Sequence, residues 1–238
     1  MKIERVGVMS PGDMGQAVAI QLKARGLNVC TALEGRSERS RVLAREAGLT
    51  DVGALERLVS ECDTVLSIMD PGAAVDFARA AAQALRTTGR NTLVVDCNAI
   101  APDTVREISD LIKKAGGRFL DAGIIGPPPR GKAKTKLFTS GPGAADLEQL
   151  AGPQLIVHVV GEGIGDASAL KMCYGALTKG LTALATELLT AAEAMNLSEA
   201  LEAELSQGPA PLFNWMQRSI PGMPPKAYRW VEIGRAHV

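Results

Sequence analysis

The chain carries no surplus of charge: Lys plus Arg number 26 and Asp plus Glu number 26 among 238 residues. Without a basic field, nothing draws it to nucleic acid or to an anionic membrane surface, and neither is expected as a partner. Cysteine is sparse. Cys30, Cys62, Cys97 and Cys173 stand too far apart for the C-x-x-C spacing of zinc or redox sites, so reduced and mostly buried thiols are expected, with no metal. No run approaches the roughly 20 apolar residues that a membrane span needs. The opening MKIERVGVMS enters a strand directly, without the apolar core of a secretion signal, and the expected compartment is the cytoplasm. Internal repeats and low-complexity tracts are also missing.

What is present is an ordinary globular composition, 46% hydrophobic and 22% charged, in a chain long enough for two domains or one large one. Short Val/Ile/Leu-rich runs alternate with longer amphipathic stretches, the pattern of parallel strands joined by crossover helices. Strands are predicted at 3–9, 28–33, 64–69, 92–96 and 155–160, with weaker candidates at 118–121 and 136–139 flanking a Gly/Pro-rich loop, 123–131. Helices are predicted at 14–25, 37–47 and 73–85, and another begins near Pro102, where a missing N–H costs little. From 166 to 196 apolar positions recur at helical spacing without proline, which predicts a helix of about 30 residues, roughly 45 Å long. Beyond it the pattern is helical only, with turns at 208–209 and 221–225.

The expected architecture is therefore α/β: a Rossmann-type doubly wound parallel sheet over 1–160, then an all-helical domain over 161–231 that opens on the long interdomain helix. The last seven residues, EIGRAHV, coincide with a translated sequencing adapter. They are expected to be non-native, the helical domain to be truncated, and the chain as written to expose apolar surface and dissolve poorly.

The segment VGVMSPGDMGQAVAIQL sets Gly12 and Gly15 between the first strand and the first helix. In that place glycines have a mechanical meaning: Gly12 lets backbone approach a diphosphate, Gly15 lets the helix pack closely, and the helix-opening amides bind phosphate oxygens. Ser10, Pro11, Gly12, Asp13, Met14 and Gly15 form this candidate cofactor turn, although Ser10 stands where the first glycine of G-x-G-x-x-G belongs. Where an acidic residue would hold the adenosine ribose, the chain reads Leu33-Glu34-Gly35-Arg36-Ser37. Arg36 and Ser37 favour a 2′-phosphate and hence NADP, Glu34 leaves NAD open, and Arg36, Arg39 and Arg41 read equally well as a solvated helix face.

Four stretches in order, SPGDMGQAVA, SIMDPGAAVDFA, DCNAIAP with DAGIIGPPP, and GEGIGDASALKMCYGALTKG, resemble the β-hydroxyacid dehydrogenase superfamily from residue 2 to about 195. That superfamily includes 3-hydroxyisobutyrate dehydrogenase, 6-phosphogluconate dehydrogenase and imine reductases. The branch with a phosphogluconate dehydrogenase-type C-terminal domain is the most similar. The resemblance implies hydride transfer between NADP or NAD and a small, anionic hydroxy acid or its carbonyl, in a homodimer. It places Met69, Asp70 and Pro71 near the nicotinamide ribose and the family's lysine on Lys171, as general acid or base. It also places Asn98, Gly126 and Tyr174 on the substrate side, because Asn98-Ala99, Ile125-Gly126-Pro127 and Tyr174-Gly175 replace the family's Ser-Thr, Ser-Gly-Gly and Asn-Asn. Burial of Lys171 in a cleft would lower its pKa toward neutrality and suit it to proton transfer. Asn98 reads equally as a turn former, Tyr174 as core, and Arg130 as either an anion-binding or a solvated residue. Imine reduction, and a nucleotide-binding regulatory protein with a decayed pocket, are the alternatives these departures permit.

Overall fold

A computed structural model describes residues 1–230; the 232–238 tail reading lies outside the described residues. The chain separates into two compact units, Met1–Met172 and a second that begins at Cys173.

In the first unit, β1 (Arg5–Met9), β2 (Asn28–Thr31), β3 (Thr50–Asp51), β4 (Thr64–Ser67), β5 (Leu93–Asp96) and β6 (Arg118–Ile125) are parallel, and β7 (Thr135–Ser140) and β8 (Leu155–Gly161) complete the sheet. The order is β3-β2-β1-β4-β5-β6-β7-β8. The chain reverses direction across the sheet between β1 and β4, the switch point where such sheets bind ligands at the carboxyl ends of their strands. Helices α1 (Asp13–Ala24), α2 (Glu38–Glu46), α3 (Leu55–Glu61), α4 (Ala74–Thr88) and α5 (Pro102–Lys114) make the crossovers.

The near-continuous apolar runs follow from burial on both faces. Alternate residues serve opposite layers: Val95 and Leu120 pack with Val18 and Leu22 of α1, while Val94 and Phe119 pack with Leu85, Ile108 and Ile112 of α4 and α5. Gly7 faces Leu58 of α3, where a Cβ would come within 3.0 Å of its Cγ.

The sheet departs from all-parallel geometry at one pair. β7 runs antiparallel to β6 and parallel to β8. The connection 126–134 is shorter than the dozen or more residues a crossover needs, so the chain turns back as a hairpin. A 3-10 segment, Ala144–Leu150, then leads to β8, whose Val159 and Val160 are exposed.

α6 (Asp166–Ala194) starts in the first unit and supplies the opening of the second, which continues with α7 (Ser198–Gln207) and α8 (Ala210–Ser219). Two residues past the end of α6, Asn196 has a positive φ of 57°, a left-handed conformation common after a helix. Within the second unit Phe213 and Met216 are buried, and the Lys179 ammonium lies 5.8 Å from the Trp230 ring centroid. Among the described residues no helix is long and apolar enough to cross a membrane, and no cluster of His, Cys, Asp or Glu has metal-site geometry. Cys30, Cys62 and Cys97 are buried free thiols, and Cys173 is exposed.

Candidate functional site

The turn after β1 is built by its two glycines in different ways. Gly15 is forced by packing: a Cβ there would collide with the Ser10 carbonyl oxygen, closer than the 3.0 Å that real Cβ atoms keep. Gly12 is forced by nothing inside the chain. Its backbone is extended, with φ −79° and ψ −169°, and a Cβ would meet no protein atom within 4 Å. Gly12 is also the N-cap of α1 and offers no side-chain oxygen to the first-turn amides of Asp13, Met14 and Gly15. Its own N–H donates to the Ser10 carbonyl (2.7 Å). Ser10 and Pro11 are buried and Asp13 is exposed.

Arg36 reaches this turn from the end of β2. Its Nη2 donates to Ser10 Oγ (2.5 Å), and its buried Nε has no hydrogen-bond partner among the described residues. Gly35, with φ +68°, turns the chain so that Arg36 can reach back, and Ser37 caps α2 by accepting from Ser40 N (3.3 Å). The three arginines part company: Arg41 donates to the Leu33 carbonyl (2.7 Å), while Arg39 and Glu34 are exposed.

At the end of β4, Met69 is half-buried, Asp70 accepts from Gly72 N (3.0 Å), and Pro71 opens a short 3-10 turn. Asn98, just past β5, holds this segment. Its Oδ1 accepts from Met69 N (2.8 Å), and its Nδ2 donates to Ser67 Oγ and Asp96 Oδ2 (each 2.8 Å). Both amide hydrogens therefore serve the protein itself, which ties the carboxyl ends of β4 and β5 together. Gly126 ends β6 with φ +123°, a conformation side chains rarely adopt, and a Cβ there would crowd the Lys134 carbonyl oxygen at 3.1 Å.

Lys171 lies on the first turns of α6. Its Nζ donates to the Cys97 carbonyl (3.4 Å), and its Cβ passes so close to β6 that a Cβ on Gly123 would sit 3.1 Å away. Beneath it are two acids that the motifs did not single out. Asp96 and Asp121 are register partners on β5 and β6, 2% and 0% exposed. Burial pushes the Asp96 carboxyl up to about 6, against the opposing hydrogen bonds from Asn98; burial likewise raises Asp121, against hydrogen bonds from Ser168 and Ser140. The Asp121 charge raises the Asp96 carboxyl further, and the Lys171 ammonium lowers both acids, so the three groups share one electrostatic neighbourhood. Burial also drives the Cys97 thiol well above its usual value, which keeps it neutral. Tyr174, three residues past Lys171 on α6, belongs to the second unit and is 51% exposed.

Arg130, in the β6–β7 loop, is exposed to solvent and already paired: it meets Asp13 Oδ1 (2.8 Å) and donates to Gln16 Oε1 (2.7 Å). The loop is thereby strapped to the first turn of α1. A cavity of about 220 Å³ lined by Leu93, Lys113, Arg118, Phe119 and Asp146 opens at the amino ends of β5 and β6, the opposite end of the sheet from these residues.

Residues 5–152 match the family described as the NAD binding domain of 6-phosphogluconate dehydrogenase, and residues 192–232 match a domain of unknown function (DUF1932). A solved conserved protein of unknown function, reported as structurally similar to 3-hydroxyacid dehydrogenases, is 34% identical with a TM-score of 0.76, covering 98% of this chain and 89% of its own. An uncharacterized 28.5 kDa protein of Methanothermus fervidus is 29% identical over 83% of this chain and 74% of its own length. Mitochondrial 3-hydroxyisobutyrate dehydrogenase of Drosophila melanogaster is 25% identical over 82% of this chain, which spans only 58% of that enzyme. An imine reductase of Myxococcus stipitatus, solved with NADP+, shares the fold at 22% identity and a TM-score of 0.58, over 85% of this chain and 76% of its own. The chain belongs to the 3-hydroxyisobutyrate/6-phosphogluconate dehydrogenase-like superfamily and carries its NAD(P)-binding domain.

Proposed function

We propose that this protein is an NADP-preferring oxidoreductase acting on a small, anionic hydroxy acid or the corresponding carbonyl compound, with Lys171 as proton carrier. The observation that carries this reading is Gly12: neither its backbone angles nor its neighbours require glycine, and a side chain there would project into open space at the sheet's switch point. A ligand that needs close backbone approach supplies the missing reason. When bound, the nicotinamide supplies the hydride chemistry.

The chain's own residues would divide the remaining work. The turn Ser10-Pro11-Gly12-Asp13-Met14-Gly15, with the first-turn amides of α1, holds the diphosphate. Arg36, whose Nε is buried without a hydrogen-bond partner among the described residues, and Ser37 hold a 2′-phosphate. Met69, Asp70 and Pro71 border the nicotinamide ribose, with Asn98 fixing Met69 from behind. Lys171 takes the hydroxyl proton in oxidation and returns it in reduction, since an amine above two buried acids can hold or release a proton at its Nζ. Gly126 and Tyr174 stand on the substrate side, and the working form is a cytoplasmic homodimer.

Fluorescence titration of NADPH and NADH tests the first half, with tighter binding of NADPH expected. Turnover followed at the reduced coenzyme's absorbance, across hydroxy acids and cyclic imines, tests the second. Lys171→Ala is expected to keep coenzyme affinity and to lose about 10²- to 10⁴-fold in turnover. Indifference to both coenzymes at millimolar concentration would end the proposal.

A further inference from the structure

The sheet places two carboxylates where a folded protein gains little from them. Asp121 is fully buried, and its oxygens accept from three neutral donors: Ser168 Oγ (2.7 Å), Ser168 N (2.9 Å) and Ser140 Oγ (3.1 Å). Ser140 Oγ in turn accepts from Ala167 N (3.0 Å), so a side chain from β6 and one from β7 cap the amino end of α6. Lys171 stands one helical turn beyond Ser168, on the same side of the helix. Asp96, directly across the β5–β6 ladder from Asp121, does no capping of a long helix at all; it accepts from Asn98 N and Nδ2 (2.9 and 2.8 Å). Two buried like charges in register repel each other and lose hydration, a cost that a neighbouring cation offsets. The cation at hand is Lys171, whose ammonium lowers the pKa of both acids and whose Nζ bonds the carbonyl of Cys97, the residue next to Asp96.

We propose that Asp96 and Asp121 are a pair of positioning carboxylates that fix Lys171 at the carboxyl ends of β5 and β6 and hold its proton. Asp121 sets where the helix begins and hence the height of Lys171, Gly123 lets the helix close onto the sheet, and both negative charges oppose the loss of the proton that burial would otherwise favour. The inference rests on the reading of Lys171 as proton carrier, but its physical content is measurable without substrate or coenzyme. Among the described residues, the titratable groups of the sheet whose shifts involve Lys171 include Asp96, Cys97 and Asp121; on its own helix the Asp166 carboxylate is turned to Gly163 N (3.2 Å).

The test is the pH dependence of Lys171 acetylation by acetic anhydride, read by peptide mass spectrometry on the full chain without coenzyme. Asp121→Asn and Asp96→Asn each remove one charge and should lower the labelling midpoint by about one pH unit. Ser168→Ala removes a capping hydroxyl and leaves both charges; it should lower the melting temperature and leave the midpoint where it was. If Asp121→Asn does not fold, Asp96→Asn carries the measurement. A midpoint unmoved in the Asn variants, or moved as far by Ser168→Ala, overturns the proposal. A lowered midpoint in a protein that turns over no hydroxy acid would keep the carboxylate pair and discard the dehydrogenase reading.

Discussion

The contrast between Gly12 and Gly15 yields a pair of substitutions that separate folding from binding. In Gly15→Ala the new methyl group meets the Ser10 carbonyl oxygen, a backbone atom that cannot swing aside as a side chain can. Overpacking of this kind costs about 3 kcal/mol at the upper end of its usual range. For a unit the size of Met1–Met172 that is a fall of roughly 6–12 °C in melting temperature. In Gly12→Ala the methyl group meets nothing, and φ of −79° suits alanine. The loss of unfolded-state freedom, about 0.4–1 kcal/mol, is set against alanine's poorer fit to the N-cap, so the melting temperature should stay within roughly 2 °C of the wild type. Coenzyme affinity falls: the same methyl group, pressed against a diphosphate, costs about 1–3 kcal/mol, or roughly 5- to 150-fold in NADPH affinity. Differential scanning fluorimetry and NADPH fluorescence on the two variants give all four numbers. A Gly12→Ala protein that binds NADPH as the wild type does would falsify the placement of the diphosphate, and an undiminished Gly15→Ala melting point would refute the packing argument.

Arg36→Ser removes the group assigned to the 2′-phosphate and should weaken NADPH by about 10- to 100-fold, the worth of a charge-assisted hydrogen bond, while NADH affinity stays within about twofold; equal loss for both coenzymes counts against that assignment. Asp96 predicts a pH dependence of stability. Its carboxyl is raised from 3.8 to about 6 in the folded protein, so the folded state binds the proton more tightly than the unfolded one, and ionising the group costs stability as pH rises from about 4 to 6. The wild type should gain on the order of 3 kcal/mol from this group as pH falls through that window, and Asp96→Asn should not. Urea unfolding at stepped pH values measures the difference, and parallel curves would contradict it.

Most of the sheet was legible because parallel strands buried on both faces leave short, dense apolar runs. Thr64–Ser67 and Leu93–Asp96 fall inside the predicted runs for that reason. β3 left no trace, since Thr50 and Asp51 are two exposed residues with no period to detect, and α3 is seven residues long, less than two turns of pattern. The turn between β1 and α1 was legible from the place of Gly12 and Gly15 between a predicted strand and a predicted helix. The carboxylate pair was not: Asp121 meets Ser140 and Ser168 across 19 and 47 residues, and only the register of β5, β6 and β7 brings them together. A single acid closing each of two apolar runs, LVVD and RFLD, was the available signal. Arg130 was open between two roles because its partners, Asp13 and Gln16, lie more than a hundred residues away in sequence.

The strand order also says something about synthesis. From β5 to β8 every strand lies beside the one made just before it, so a nascent chain can lengthen the sheet at one flank as it leaves the ribosome, without waiting for distant partners. The other flank closes early on the two-residue β3, too short a ladder for a stray strand to extend. Until β8 is laid down, the newest strand is always the open one, and a pause in translation within 118–155 would leave β6 or β7 as an apolar edge for another unfinished chain to join.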